Sequence, residues 1–216
     1  MASTLFAEPQ ASLSFPQSLT EQYKPQRLAD FVGLEKQRKI LGNLVRNPRS
    51  CGVLLVGAPG TGKTSMAYAF AHELGAEIIH VGSQDCSVDK LREVARMCQY
   101  VPMNGGWWCV ICDEADLMSN AAQNYLLSKM DSTEALQRTI FIFTCNATDK
   151  LEERFLSRTI QLPAFNSYGA SADIKNLLSH IWRERANGAP EPNMSKVPTG
   201  NVREALQWLE VELLAA

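Results

Sequence analysis

The residues in this chain best suited to chemistry lie at Gly57-Ala58-Pro59-Gly60-Thr61-Gly62-Lys63-Thr64, which has the spacing G-x-x-x-x-G-K-[ST] of a phosphate-binding loop. Each part of it answers a need of a polyphosphate. Gly57, Gly60 and Gly62 admit backbone angles that a Cβ forbids, so consecutive N–H groups can turn inward onto β- and γ-phosphate oxygens. Lys63 brings a point charge to the same oxygens, and the Thr64 hydroxyl is placed to ligate Mg²⁺. Pro59, Thr61 and Ser65, within or beside the loop, are read with it as nucleotide-binding residues.

Three further polar positions stand where apolar runs stop. The run Trp107-Trp108-Cys109-Val110-Ile111-Cys112 ends in Asp113-Glu114-Ala115-Asp116. Asp113 is placed to hold a hydrated Mg²⁺, which makes Thr64 and Asp113 the expected metal residues, and Glu114 is the candidate to polarise an attacking water. Asn146 follows the run 139–144, where an amide can orient water or contact the γ-phosphate without adding charge; it also suits an ordinary turn. Arg154 and Arg158 read as surface arginines, although their place after this last strand end leaves a second role open.

These side chains need strands and helices to aim them. The loop is preceded by an apolar run, Val53-Leu54-Leu55-Val56, and followed by a helical pattern, so it reads as strand, loop, helix. Before it, a helix is expected over 34–45, ending ahead of Asn47-Pro48. After it come a strand over 77–81, a helix over 87–98 with Ser87 as a cap, and a strand over 107–112. A helix over 120–130, a strand over 139–144, a short helix over 151–155 and a strand over 159–162 complete the series. Alternation of strand and helix predicts an α/β fold with a doubly wound, parallel, five-stranded sheet and right-handed crossovers. Its ligand belongs at the carboxyl ends of the strands, where the glycine loop lies. Beyond Pro163 the composition shifts to helices over 172–186 and 201–214, separated by a loop with three prolines and two glycines. The expected organisation is a loose tail over 1–18, an α/β core over 19–164 and a small helical lid over 165–216.

Composition narrows the partners. A net charge of -2 in 216 residues gives no global basic signature, so any nucleic-acid contact must come from a local patch or from assembly. Six cysteines scattered through the chain, with no secretory leader recognised ahead of them, imply reduced thiols in a cytosolic protein. Cys109 and Cys112 have C-x-x-C spacing, but in a strand residues i and i+3 face opposite ways and no second pair completes a zinc site. No apolar run reaches the roughly 18 residues needed to span a bilayer.

Taken together, Gly57 to Thr64, Asp113-Glu114-Ala115-Asp116, Thr144-Cys145-Asn146 and Leu156-Ser157-Arg158 resemble the AAA+ ATPases. Within them the chain looks most like the clamp loaders, the small subunits of replication factor C and the bacterial and phage loaders, over about 19–209. Glu21-Gln22-Tyr23-Lys24-Pro25 and Leu28-Ala29-Asp30-Phe31-Val32-Gly33 are similar to the loader segment that contacts adenine, which implies that Tyr23, Pro25 and Val32 bind the base. The resemblance makes ATP the nucleotide, Lys63 and Thr64 Walker A, Asp113 and Glu114 Walker B, and Asn146 sensor 1. It makes Arg158 an arginine finger that reaches a neighbouring subunit's ATP. Gly200-Asn201-Val202-Arg203-Glu204-Ala205-Leu206 resembles the lid motif, so Arg203 would be sensor 2. Thr159 stands where the family has a cysteine, and the chain reaches Ala216 where loaders continue into a helical collar. The implied activity is MgATP hydrolysis at subunit interfaces, coupled to DNA replication or to loading a DNA-bound partner. Partners would be like or related AAA+ subunits, DNA and a sliding-clamp-like protein. Alternatives are an ATP-gated assembly scaffold or matchmaker and, less well supported because no aromatic pore loop precedes the Walker B strand, a protein-remodelling ATPase.

Overall fold

The computed structural model describes residues 17–103, 106–130, 136–166, 171–186, 188–198 and 200–216. Most of the expected tail, and Asn104 and Gly105 ahead of the tryptophan run, lie outside them. Five strands form one sheet: β1 (Cys51–Val56), β2 (Glu77–Val81), β3 (Trp108–Cys112), β4 (Thr139–Cys145) and β5 (Thr159–Gln161). Their order is β2-β3-β4-β1-β5, and every neighbouring pair is parallel. Every residue of β3 and β4 is buried, because a parallel sheet is covered on both faces and its central strands need no polar side.

Helices α1 (Leu19–Gln22), α2 (Glu35–Arg46), α3 (Lys63–Leu74), α4 (Val88–Met97), α5 (Asn120–Met130) and α6 (Glu153–Ser157) flank these strands in sequence. From β1 the chain runs to the far edge at β2, then steps back through β3 and β4 and past β1 to β5. With right-handed crossovers, that reversal of direction must put α3 on one face and α4 to α6 on the other. The two cores obey this. Leu41, Met66 and Phe70 of α2 and α3 pack on Val53, Leu55, Ile140 and Ile142, whereas Leu91, Val94, Leu126 and Phe155 pack on Leu54, Phe141 and Phe143. Cys109 joins the first core and Cys112 the second, so the C-x-x-C pair is split across the sheet as the strand geometry requires.

The starts of α2 and α6 differ from expectation for local reasons. Gly33 and Leu34 both have positive φ, 67° and 58°, and a left-handed pair cannot open a helix, so α2 begins at Glu35. Leu151 closes a turn onto the Thr148 carbonyl and Glu152 is extended, which delays α6 to Glu153. Ser87 does cap α4, accepting from the Lys90 N–H.

Helices α7 (Ser171–Arg185) and α8 (Val202–Ala215) form a third cluster around Ile174, Leu178, Ile181, Trp182, Leu206 and Leu209. Leu19 of α1 is buried in that cluster, its N–H donates to Glu210, and the Tyr23 hydroxyl donates to Glu184 at 2.9 Å. The segment ahead of the sheet is therefore fastened to the terminal helices. Among the described residues no helix is long and apolar enough to cross a membrane.

Candidate active site

The carboxyl ends of β1, β3 and β4 lie side by side, and each delivers polar groups to one place. Gly57 continues β1, donating its N–H to the Cys145 carbonyl of β4 at 3.2 Å. Its need for a missing Cβ is one of space, since a Cβ there would lie 2.4 Å from the Phe165 carbonyl oxygen. Only Gly60 and Gly62 supply the left-handed angles, with φ of 76° and 91°, so the expectation that all three glycines serve unusual angles is corrected at Gly57. The Thr61 hydroxyl closes the loop onto the Ala58 carbonyl at 2.8 Å, and Gly62 caps α3, whose first residue is Lys63. The N–H groups of a helix start then face the cleft with the positive end of the helix dipole behind them.

Lys63 is held within this cradle. Its Nζ donates to the carbonyls of Gly57 at 2.8 Å and Ala58 at 3.0 Å, and to Asn146 Oδ1 at 3.2 Å. Burial pushes its ammonium below the ordinary lysine range; the nearby Asp113 and Asp116 carboxylates oppose that shift, and Arg203 adds to it. A lysine so placed gains from an incoming anion, because phosphate oxygens restore the charge compensation that burial removes.

Asp113 and Thr64 meet directly: the Thr64 hydroxyl donates to Asp113 Oδ1 at 2.8 Å. The Thr144 hydroxyl donates to the same oxygen and accepts from the Glu114 N–H at 3.2 Å. The other carboxylate oxygen, Oδ2, lies 4.0 Å from His80 Nε2. Glu114 adopts a left-handed backbone, φ 52° and ψ 51°, and its side chain is exposed. A hydroxyl and a carboxylate are hard oxygen donors, and among the described residues no cluster of three or more His, Cys, Asp or Glu could cage a metal. That donor set suits Mg²⁺, which keeps waters and shares its coordination with phosphate oxygens.

A cavity of about 310 Å³ opens between the loop, the segment 20–34 and the terminal helices. Its lining includes Tyr23, Pro25 and Val32 from that segment, Gly60 to Gly62, Thr64, Ser65 and Asp113 from the loop and strand ends, and Arg203 from α8. Gly57, Pro59, Lys63, Glu114 and Asn146 are not part of that lining; Lys63 and Asn146 join behind it, and Pro59 is exposed. Arg203 reaches the site through its helix: Asn201 caps α8 by accepting from the Glu204 N–H at 2.7 Å, and the Arg203 N–H lies 3.5 Å from the Gly60 carbonyl. Arg158 is placed elsewhere, exposed at the end of α6 and outside the cavity.

The sequence reading gave no role to several residues of the site. Phe31 lies under Gly62, and Leu177 and Leu206 close the cavity from the terminal helices, positions that carry no local signal of a nucleotide site. Thr144 did carry one, as a hydroxyl near the end of an otherwise apolar buried strand.

Comparison with known proteins agrees with this geometry. The family model of the ATPase family associated with various cellular activities (AAA) matches residues 53–164. The chain is 28% identical to Replication factor C subunit 4 of Arabidopsis thaliana, over 92% of this chain and 63% of that protein. It is 32% identical to the Replication factor C small subunit of Methanocella arvoryzae, over 88% and 62%. The chain thus spans about three fifths of the length of the curated relatives it matches. Among solved structures, a point mutant of Thermotoga maritima RuvB superposes with a TM-score of 0.69 at 19% identity, covering 89% of this chain and 67% of that one. The Thermotoga maritima RuvB Holliday junction branch migration motor gives 0.66 at 18%, covering 90% and 68%. At such identity the likeness is one of fold.

Proposed function

The chain belongs to the AAA family of ATPases, and from that premise we propose that it binds MgATP in the cleft and hydrolyses it at interfaces between subunits, as a clamp-loader-type module. The observation that carries the reading is the Thr64 hydroxyl 2.8 Å from Asp113, with Glu114 next in the chain and Asn146 bonded to Lys63. That is the constellation a phosphoryl transfer to water requires: a cradle, a cationic side chain, a pair of metal ligands, a base and a water-orienting amide.

In this reading Lys63 and the loop N–H groups hold the β- and γ-phosphates, and Tyr23, Pro25 and Val32 surround the adenine. Thr64 and Asp113 hold Mg²⁺, which when bound neutralises charge on the phosphate oxygens. Glu114 accepts a proton from the attacking water, and Asn146 orients it. Residues 19–164 act as the ATPase core and 165–216 as its lid, with Arg203 reading the γ-phosphate from the lid side. Arg158, exposed and away from its own cavity, serves the ATP of an adjoining subunit of the same or a related kind.

The resemblance to replication factor C subunits supports a task on DNA with a ring-shaped clamp as partner. Turnover measured with primed DNA, with a clamp, with both, and with neither tests that task. Stimulation by DNA and clamp together is expected. Equal rates in all four would overturn the loader assignment and leave the ATPase standing.

Two further outcomes are expected. Lys63→Ala removes the charge compensating the phosphates and should weaken ATP binding about 100-fold, the equivalent of roughly 3 kcal/mol for a charge-assisted contact. Calorimetric titration checks this, and unchanged affinity would remove the loop from the site. Arg203→Ala should reduce the preference for ATP over ADP by about tenfold, because only ATP carries the γ-phosphate that Arg203 meets. Competition binding in the two nucleotides measures it, and an unchanged preference would leave Arg203 without a part in reading the γ-phosphate.

A further inference from the structure

Thr144 sits at the next-to-last position of β4, opposite Leu55 of β1, and is 1% exposed. The strand around it runs Thr139-Ile140-Phe141-Ile142-Phe143, so valine would suit the position equally in shape and strand preference. A hydroxyl buried there is unfavourable unless both its proton and its lone pair are used. Both are. The proton goes to Asp113 Oδ1, and the oxygen accepts the Glu114 N–H at 3.2 Å.

We infer that Thr144 is a positioning residue for the reaction, fixing the Asp113 carboxylate and the Glu114 backbone as one unit. This rests on the proposed roles of Asp113 as the magnesium acid and Glu114 as the base. Two features of the site require such a device. The Thr64 hydroxyl donates to the same Asp113 oxygen but has a second task as a metal ligand, so it cannot alone fix how that carboxylate is turned. Glu114 holds a left-handed backbone that a residue with a Cβ seldom adopts, and its N–H is tied to Thr144. One hydroxyl on the central strand therefore links the residue that holds the metal to the residue that accepts the proton. It acts as the partner behind a ligand, the kind of group whose loss typically costs about 10- to 100-fold in metal affinity or activity.

The test uses Thr144→Val, which keeps shape and burial, and Thr144→Ser, which keeps the hydroxyl, with Asp113→Ala as a reference. Binding of a fluorescent ATP analogue is titrated with Mg²⁺, and separately without it, alongside steady-state turnover and thermal melting. For Thr144→Val we expect the half-saturating Mg²⁺ concentration to rise about tenfold and kcat to fall by a similar factor. Magnesium-free nucleotide affinity and the melting temperature should be unchanged, and Thr144→Ser should return both altered quantities to near wild type. Wild-type magnesium dependence in Thr144→Val, while Asp113→Ala shifts it, would overturn the inference and leave the site assignment intact. So would a loss of magnesium-free nucleotide binding in Thr144→Val as large as its loss of magnesium dependence, since that marks a general structural role of the hydroxyl and not one directed at the metal and the base. If Asp113→Ala itself leaves magnesium dependence unaltered, the site assignment fails first and the inference falls with it.

Discussion

Arg158→Ala is expected to bind ATP as wild type does and to hydrolyse it about 10³-fold more slowly, a loss of roughly 4 kcal/mol of transition-state stabilisation. The size follows from chemistry: a guanidinium brought to a transferring phosphoryl group meets charge that develops only in the transition state, so its loss appears in kcat and not in affinity. The direction follows from placement. Arg158 is exposed at the end of α6 and outside the cavity that Arg203 lines, so the proposed reading assigns it to the ATP of an adjoining subunit. Mixing therefore restores activity. In an assembly of Arg158→Ala with Lys63→Ala subunits, the second kind binds little ATP but offers an intact Arg158 to the first. Wild-type turnover per subunit should likewise fall on dilution as the assembly dissociates. Turnover that stays flat down to the monomer, together with no recovery on mixing, would place Arg158 in its own subunit's chemistry or outside the reaction.

Glu114→Gln should trap the nucleotide state instead of losing it. Glutamine matches the side chain in shape, and the contact that holds this residue, its N–H to Thr144, is made by the backbone and survives the change. What disappears is the ability to take a proton from water, a contribution of about 10²- to 10⁴-fold in rate. Turnover should drop within that range while ATP binding and magnesium dependence persist. The variant should also remain in its ATP-dependent assembly, seen as a higher mass in ATP than in ADP that does not decay over the time wild type needs to exhaust its substrate. Single-turnover hydrolysis at the wild-type rate would mean that the base lies elsewhere. The pair of variants is informative jointly: Arg158→Ala is rescued by a neighbour and Glu114→Gln is not, because a proton acceptor must belong to the subunit whose strand end aims it.

Much of this could be read from the sequence because it is local. Residues 57–64 must form a loop between a strand and a helix, since glycines, lysine and threonine at that spacing have little alternative use, and the apolar run before them ends where polar chemistry begins. Asp113 was legible for the same reason, as a polar residue at the end of a strand buried on both faces, whereas Asn146 at the end of the next strand also suited an ordinary turn and took its role from the family resemblance. Alternating strand and helix fixed a parallel sheet, and right-handed crossovers then left few arrangements to choose among. The tertiary structure decided what depends on residues far apart in the chain. It showed that Gly57 is glycine because the Phe165 backbone crosses it, a long-range contact that no spacing rule reports. It fastened α1 to α8 through Leu19 and Glu210, and so built the wall of the cleft from both ends of the described chain. It brought the Thr144 hydroxyl of β4 against Asp113 and Glu114, the residues just beyond β3, because the register that pairs Cys112 with Phe143 puts Thr144 level with the end of the neighbouring strand. A side chain's type can be read from the sequence; which neighbour takes its proton is set by strand order and register, and these exist only once the sheet has formed.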